Sequence, residues 1–177
     1  MSMQNANEYG MTRVCVIGGG AAGMMAAGTA ALYGAEVTIF EATDRLGKKL
    51  AITGKGRCNV TNNSDINEFL ENVPKNPRFL YTALASLSPQ DTMTHFESLG
   101  VKLKTERGKR VFPEDDKAKT IVDAMKTYSA ASEIIYEKVK KIVKANDVFT
   151  VTTANGDYEF DRVIIATGGR SYPLTGS

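Results

Sequence analysis

Arg13-Val14-Cys15-Val16-Ile17-Gly18-Gly19-Gly20-Ala21-Ala22-Gly23, followed by Val37-Thr38-Ile39-Phe40-Glu41, is the stretch that decides the fold. Val14 to Ile17 is a short apolar run, which reads as a buried parallel strand. Gly18, Gly20 and Gly23 fill the G-x-G-x-x-G positions at the turn from that strand into a helix. Each glycine has its own physical reason: a tight turn, room for a pyrophosphate against bare backbone, and close packing of helix on strand. The helix that follows directs its N-terminal N–H groups and positive dipole end at the phosphates, with Ala21 and Ala22 in its first turn. A second apolar strand then ends at Glu41, where a carboxylate can accept hydrogen bonds from a ribose, and Ala42 follows it. Strand, glycine turn, helix, strand and acid in register make a dinucleotide-binding β-α-β unit.

With 177 residues the chain is long enough for one domain with a core of its own. A net charge of +2 gives no general attraction to polyanions, and neither nucleic acid nor a membrane is expected as a partner. Cys15 sits in the first strand and Cys58 in a polar loop. Their spacing fits neither a C-x-x-C pair nor a zinc site, so reduced cytoplasmic thiols are expected and no metal. Val14 to Ala35 contains no charged residue, which invites reading it as a leader or a membrane span. Its many glycines and alanines favour strand, turn and helix. Residues 1–11 are polar and unpatterned and read as a loose tail, with the domain proper spanning 12–177.

Beyond Glu41 comes a glycine-containing basic loop from Ala42 to Asn63. Asp65 to Glu68 forms a capping box for a helix through Val73. Pro77 opens a helix to about Ser86, and Ser88-Pro89-Gln90-Asp91 another that ends near Gly100, with Phe96, Leu99 and Met93 facing inward. Val101–Thr105 and Lys109–Phe112 alternate as a small antiparallel pair. Ile121, Val122, Met125 and Tyr128 recur at helical spacing as a buried stripe. Ile134–Tyr136 reads as a third parallel strand. Val139–Val143, Val148–Thr153 and Tyr158–Phe160 read as a meander, turned at Asn155-Gly156. A last apolar strand, Arg162–Ala166, runs into Thr167-Gly168-Gly169. Ligands in doubly wound sheets lie at the carboxyl ends of strands, so the two glycine-bearing strand exits should converge on one crevice.

This order resembles the glutathione-reductase-like FAD domain: an α/β doubly wound sheet with an antiparallel β-meander. Gly47-Lys48-Lys49-Leu50, Thr53-Gly54-Lys55-Gly56-Arg57-Cys58-Asn59-Val60-Thr61-Asn62, Arg110-Val111-Phe112-Pro113 and Ala166-Thr167-Gly168-Gly169-Arg170-Ser171-Tyr172-Pro173 are similar to four ordered blocks of the BaiN-like, or aminoacetone-oxidase-like, flavoproteins. The resemblance implies FAD as cofactor, with NAD(P)H or oxygen as second partner. Members of that family carry an inserted substrate-side domain and a C-terminal return to the FAD sheet. The chain is therefore expected to be an N-terminal FAD-binding portion, incomplete as a sheet.

The residues expected to bind the cofactor follow from motif and resemblance together. Gly18, Gly20, Ala21, Ala22 and Gly23 would hold the pyrophosphate, with Lys48 or Lys49 adding charge, or else being solvated loop lysines. Glu41 and Ala42 belong to the ribose end. Val139 lies where the resemblance places main-chain contacts to adenine, its alternative being a core valine. Ala166, Thr167 and Gly168 form a second close crossing. By the same resemblance the Thr53–Asn59 loop, with Gly56, Arg57, Cys58 and Asn59, borders the flavin. Arg57 beside Cys58 would lower the thiol pKa, although with no second cysteine nearby a packing role for Cys58 is favoured. Thr53-Gly54-Lys55 is not a phosphate-binding Walker loop, because Lys49 stands where its first glycine is required. His95 is expected at the surface. No catalytic residue stands out.

The leading functional expectation is the FAD-binding portion of a flavin-dependent oxidoreductase. It would move a hydride or electron pair between flavin and a small organic substrate. Two alternatives stay open: a binding fragment without turnover, and a nicotinamide-only Rossmann dehydrogenase. The substrate and the oligomeric state are not legible.

Overall fold

A computed structural model describes residues 10–169 of the chain. The residue contacts divide them into two units, one made of residues up to 48 together with those from 125 onward, the other of residues 49–124.

The first unit is built on a four-stranded sheet. β1 (Arg13–Ile17), β2 (Glu36–Phe40), β6 (Glu133–Ile135) and β10 (Arg162–Ile165) run parallel in the order β10-β1-β2-β6. The expected strands are therefore all present and in the doubly wound arrangement. Helix α1 (Ala21–Leu32) crosses over from β1 to β2 and buries Gly23, Met24, Ala27 and Gly28. Its packing is unusually close because two contacts allow no side chain. A Cβ on Gly23 would stand 1.8 Å from the Gly18 carbonyl oxygen, and one on Gly28 would stand 2.3 Å from the Tyr128 ring. Tyr128 then closes the contact with a 3.0 Å hydrogen bond between its hydroxyl and Thr29 Oγ1.

The antiparallel meander of this unit is β7 (Lys141–Ala145), β8 (Val148–Thr152) and β9 (Asp157–Phe160). Val151 and Phe160 join Cys15, Ile17 and Phe40 of the sheet in one core cluster, with Val139 and Val163 packed against it. Phe40 meets Tyr158 and Phe160 edge-to-face, at 5.1 and 6.0 Å between ring centres. The first meander strand begins at Lys141 rather than at Val139. Residues 136–140 form a connection instead, as Ile142 pairs with Val151 and sets the register. The turn is at Asn155-Gly156 as expected, with the Thr153 N–H donating to the Gly156 carbonyl at 2.9 Å.

In the second unit a three-stranded sheet, β3-β5-β4, is formed by β4 (Leu103–Glu106) and β5 (Arg110–Pro113) with the two-residue β3 (Thr61–Asn62). The β4–β5 pair is antiparallel as expected; β3 is too short to leave a periodic signal. Helix α2 (Ile66–Glu71) is capped by Asp65, whose side chain accepts from the Glu68 N–H at 2.9 Å. The Glu68 carboxylate goes to Lys109 Nζ, so only the N-cap half of the expected capping box forms there. The reciprocal box is found at Ser88 and Asp91, at the head of α4 (Pro89–Ser98). The single helix expected from Pro77 to Ser86 is a 3-10 turn, Pro77–Leu80, followed by α3 (Tyr81–Ser86). His95 is half-buried with its ring edge-to-face on Phe96, rather than at the surface. Its neutral form is favoured because burial lowers its pKa.

Helix α5 (Ala118–Tyr128) connects the units and buries Ile121, Val122 and Met125, the stripe its spacing predicts. No helix of the described residues is long and apolar enough to cross a membrane, which assigns the uncharged Val14–Ala35 run to strand, turn and helix. The N-terminal tail up to Tyr9 and the Arg170–Pro173 part of the last family block lie outside the described residues.

Candidate functional site

The exits of β1 and β10 meet at the carboxyl edge of the parallel sheet. Gly18 has φ +103°, and a Cβ there would stand 2.5 Å from the Ala166 carbonyl oxygen, so the two exits touch backbone to backbone. Ala166 N–H donates to the Ile17 carbonyl at 2.8 Å, which extends the β1–β10 pairing to this point. Gly168 continues with φ +82°. The structure thus brings Gly18, Ala166 and Thr167 together, as the convergence of strand exits predicts.

Gly20 is the N-cap of α1, in extended conformation and with no side chain to cap the helix. A Cβ built on it would meet nothing within 4 Å among the described residues. The first N–H groups of a helix have no intrahelical acceptor. At α1 they are flanked only by the exposed, small Ala21 and Ala22. This open, donor-lined corner at a positive helix terminus is the shape and charge that a pyrophosphate requires.

Glu41 is less exposed than a strand-end carboxylate usually is, and its bonds explain why. Oε2 accepts from the Gly19 N–H at 2.7 Å, and Oε1 accepts from the Thr43 N–H and Thr43 Oγ1, each at 2.8 Å. A carboxylate offers about four lone-pair sites, so three are used within the protein and about one remains on Oε2. Glu41 therefore holds the glycine turn in place and keeps limited capacity for a ribose hydroxyl. Gly19, which the motif treats as a spacer, is the residue so held. Its carbonyl also accepts from the Gly47 N–H at 2.8 Å, and a Cβ on it would stand 2.2 Å from Leu46 Cδ2. The signal for Gly19 and Thr43 was slight: a third consecutive glycine and a hydroxyl two residues past the acid.

Lys48 pairs with Asp44 at 3.2 Å, an exposed i,i+4 contact that leaves its position in the loop compatible with a phosphate. Lys49 is half-buried, and Ala42 is exposed beside Glu41. Val139 is half-buried against the core, the alternative that its residue type suggested. No backbone hydrogen bond among the described residues uses its N–H or C=O, so the main-chain contact expected of it is also possible geometrically.

The Thr53–Asn59 loop, in the other unit, is strained. Gly54, Lys55, Gly56 and Cys58 all have positive φ, from +56° to +84°. For Lys55 and Cys58 this conformation costs roughly 1 kcal/mol or more each. Cys58 N–H donates to the Thr53 carbonyl at 3.0 Å, and a Cβ on Gly54 would stand 3.0 Å from the Asn59 nitrogen. With its amide turned to suit its neighbours, Asn59 Nδ2 donates to the carbonyls of Val111 and Thr61, at 3.1 and 3.0 Å.

Arg57 does not present a free guanidinium. It binds Glu106 and Asp116, lies 4.2 Å over the Phe112 ring, and shares Asp116 with Lys104. These contacts hold the Asp116 carboxyl below its ordinary range, the Lys104 hydrogen bond more than that of Arg57. Arg57 is thus a fastener of its loop to β4 and β5.

Cys58 also departs from expectation. It is 1% exposed, and burial raises its thiol pKa; the Thr53 hydrogen bond opposes this only in part. The thiolate activation expected from Arg57 fails because that charge is spent on Glu106 and Asp116. Cys15 is pushed up to about 12 by burial. Both thiols should resist a thiol reagent at mildly alkaline pH in the folded chain and both react after denaturation. Fast labelling of Cys58 in the native chain would contradict this. Because both folded values lie above the ordinary 9.0, their neutral-thiol preference stabilises the fold below that pH and fades as pH rises through the raised values.

The model of the HI0933-like protein Rossmann domain matches residues 12–177. The chain belongs to the HI0933-like family of FAD-binding Rossmann domains. It is 33% identical over 172 residues to a 3-dehydro-bile acid delta(4,6)-reductase of Clostridium scindens, covering 94% of this chain and 41% of that protein. It is 30% identical over 174 residues to a ribosomal RNA dihydrouridine synthase of Haemophilus influenzae, covering 92% and 41%. The chain thus spans about two fifths of the length of these relatives. Among solved structures, a flavocytochrome c3 fumarate reductase in its open conformation superposes with a TM-score of 0.67 and 26% identity, covering 90% of this chain and 34% of that one. The α/β parallel sheet expected from the motifs, and the flavoprotein oxidoreductase class expected from the resemblance, are those of the family.

Proposed function

We propose that residues 12–177 form the FAD-binding portion of an enzyme that reduces a carbon–carbon double bond conjugated to a carbonyl. The open Gly20 corner at the uncapped head of α1 carries the cofactor half of this reading. It supplies N–H donors and positive potential where a pyrophosphate needs them, and a side chain would fill it. Gly18 to Gly23 with Ala21 and Ala22 hold the phosphates, and Glu41 with Ala42 the ribose. Val139 meets adenine through its backbone, Ala166 to Gly168 approach from β10, and Lys48 or Lys49 contribute charge. The Thr53–Asn59 loop borders the flavin with backbone rather than with Arg57 or Cys58, whose side chains are engaged within the protein.

Reaction class is suggested by the names of the three similar proteins. A delta(4,6)-reductase acting on a 3-dehydro steroid, a dihydrouridine synthase and a fumarate reductase each add two hydrogens across a C=C bond conjugated to a carbonyl. Bound FAD supplies such chemistry as a hydride donor once it has been reduced. NAD(P)H is the proposed reductant, and the cytoplasm the proposed compartment. A small net charge argues against general polyanion binding, yet it does not oppose recognition of one base, so an RNA substrate stays within this proposal.

The test uses the purified protein loaded with FAD and reduced without oxygen. Fumarate, a 3-oxo-4,6-diene steroid and a uridine-bearing RNA are each added while the visible flavin band is followed. Return of that band with saturation of one acceptor is expected. Reoxidation by oxygen or a disulfide but by none of these acceptors would discard the reading. A second reading, that the 177-residue chain alone binds FAD without turnover, is favoured by its spanning two fifths of its relatives. Retained flavin with no acceptor reduction by the isolated chain is its expected signature.

A further inference from the structure

Thr43 stands two residues beyond the acid that follows β2, and the dinucleotide motif gives it no task. Its backbone N–H and its Oγ1 both reach Glu41 Oε1, each at 2.8 Å. Those two donors fill the acceptor capacity of that oxygen. The other oxygen, Oε2, accepts from the Gly19 N–H at 2.7 Å and keeps one site. Gly19 is itself held by the same loop, because its carbonyl accepts from the Gly47 N–H at 2.8 Å. The carboxylate is therefore fixed at both oxygens, by the glycine turn at one and by residue 43 at the other.

The adenosine ribose of FAD offers two adjacent hydroxyls. A carboxylate with both oxygens free can accept from both of them, one to each oxygen. Glu41 as it is held has room for only one. The Thr43 hydroxyl makes the difference, since its backbone N–H would bond Oε1 whatever the side chain. The single hydroxyl proton has a second acceptor in reach, the Arg45 carbonyl at 3.2 Å. The Glu41 contact is shorter and charge-assisted, so the proton goes to the carboxylate.

We propose that Thr43 is a specificity-determining residue of the cofactor site. Its hydroxyl occupies Glu41 Oε1, so that the carboxylate reads one hydroxyl of the adenosine ribose rather than two. Thr43 acts through Glu41 and is a positioning residue. The inference rests on the proposed placement of Glu41 at the ribose and on no part of the reaction class. Its consequence is an asymmetry: one ribose hydroxyl is required for tight binding, and the other is dispensable.

The experiment compares FAD with its 2′-deoxyadenosine and 3′-deoxyadenosine analogues. Each is titrated into the flavin-free protein, and the change in flavin fluorescence gives the dissociation constant. In the wild-type chain one analogue should bind about tenfold more weakly than FAD, the worth of one hydrogen bond to a charged group. The other should match FAD within about twofold. Thr43→Val keeps the β-branched shape and the backbone N–H but removes the hydroxyl. In that variant both analogues should bind about tenfold more weakly than FAD, because Oε1 then takes the second hydroxyl. Thr43→Ser should restore the wild-type pattern. A merely structural role for Thr43 would weaken all three flavins alike and leave their ratios unmoved. Equal losses for both analogues in the wild-type chain overturn the proposal while keeping Glu41 on the ribose. A pattern that Thr43→Val leaves unchanged does the same. Equal affinity for all three flavins in the wild-type chain removes Glu41 from the ribose, and the proposal falls with it.

Discussion

Gly20→Val should abolish FAD retention while leaving the folded chain nearly as stable as before. The backbone at Gly20 has φ −79° and ψ −170°, an extended conformation open to a β-branched residue. A Cβ there meets no atom of the described residues within 4 Å, so the cost is limited to that of a poorer N-cap, about 1 kcal/mol. The side chain would instead fill the corner where phosphate oxygens reach the helix N–H groups. A loss of about 100-fold or more in FAD affinity is expected, about 2.7 kcal/mol or more. Visible absorption after gel filtration measures retention, and a thermal melt of the flavin-free chains measures the fold. A variant that keeps its flavin would remove Gly20 from the site.

The opposite outcome is expected at Gly23, three residues along the same helix. In an exposed helix interior Gly→Ala normally gains about 1 kcal/mol. At Gly23 the new methyl would sit 1.8 Å from the Gly18 oxygen and 2.9 Å from its carbonyl carbon, both backbone atoms that cannot rotate away. Helix α1 would have to move off β1, and the overpacking cost should reach about 3 kcal/mol or more. For a chain of this size that is a fall in Tm of about 6–12 °C. Calorimetry on the flavin-free chain tests it, since the flavin cannot then contribute. A melting temperature unchanged or raised by Gly23→Ala would mean that α1 can shift away from the Gly18 carbonyl at little cost.

The pair of variants separates two uses of glycine that the motif writes with one letter. On the proposed reading Gly20 is small for the ligand, whereas Gly23 is small for the fold, by its contact with the Gly18 carbonyl. The motif assigns a different task to each slot, which is legible from position. That Gly19 is held too was not. Its bond to Glu41 and its contact with Leu46 join residues 22 and 27 positions apart in sequence, and nothing local announces them.

The basic loop shows the same boundary. From sequence, Arg57 next to Cys58 reads as a cation beside a thiol and predicts an acidified thiol. In the fold, Glu106 and Asp116 take up the guanidinium, Phe112 supports its face, and Cys58 is buried. Burial then raises the pKa, opposed only in part by the Thr53 hydrogen bond. Adjacent letters gave the distance between the two residues, but not the partners that cancel the charge.

The sequence alone determined the β-α-β unit, the parallel strands, the meander turn and the class of cofactor. Each depends on short-range chemistry: apolar runs, glycine at turns, a carboxylate at a strand end, and Asn-Gly between alternating segments. Tertiary structure decided which polar groups are available. Glu41 has given most of its acceptors to Gly19 and Thr43, Arg57 is spent on two carboxylates, and the Ser64 hydroxyl is enclosed without a partner among the described residues. A side chain's identity is local, whereas its satisfaction depends on residues that only folding brings within hydrogen-bond reach.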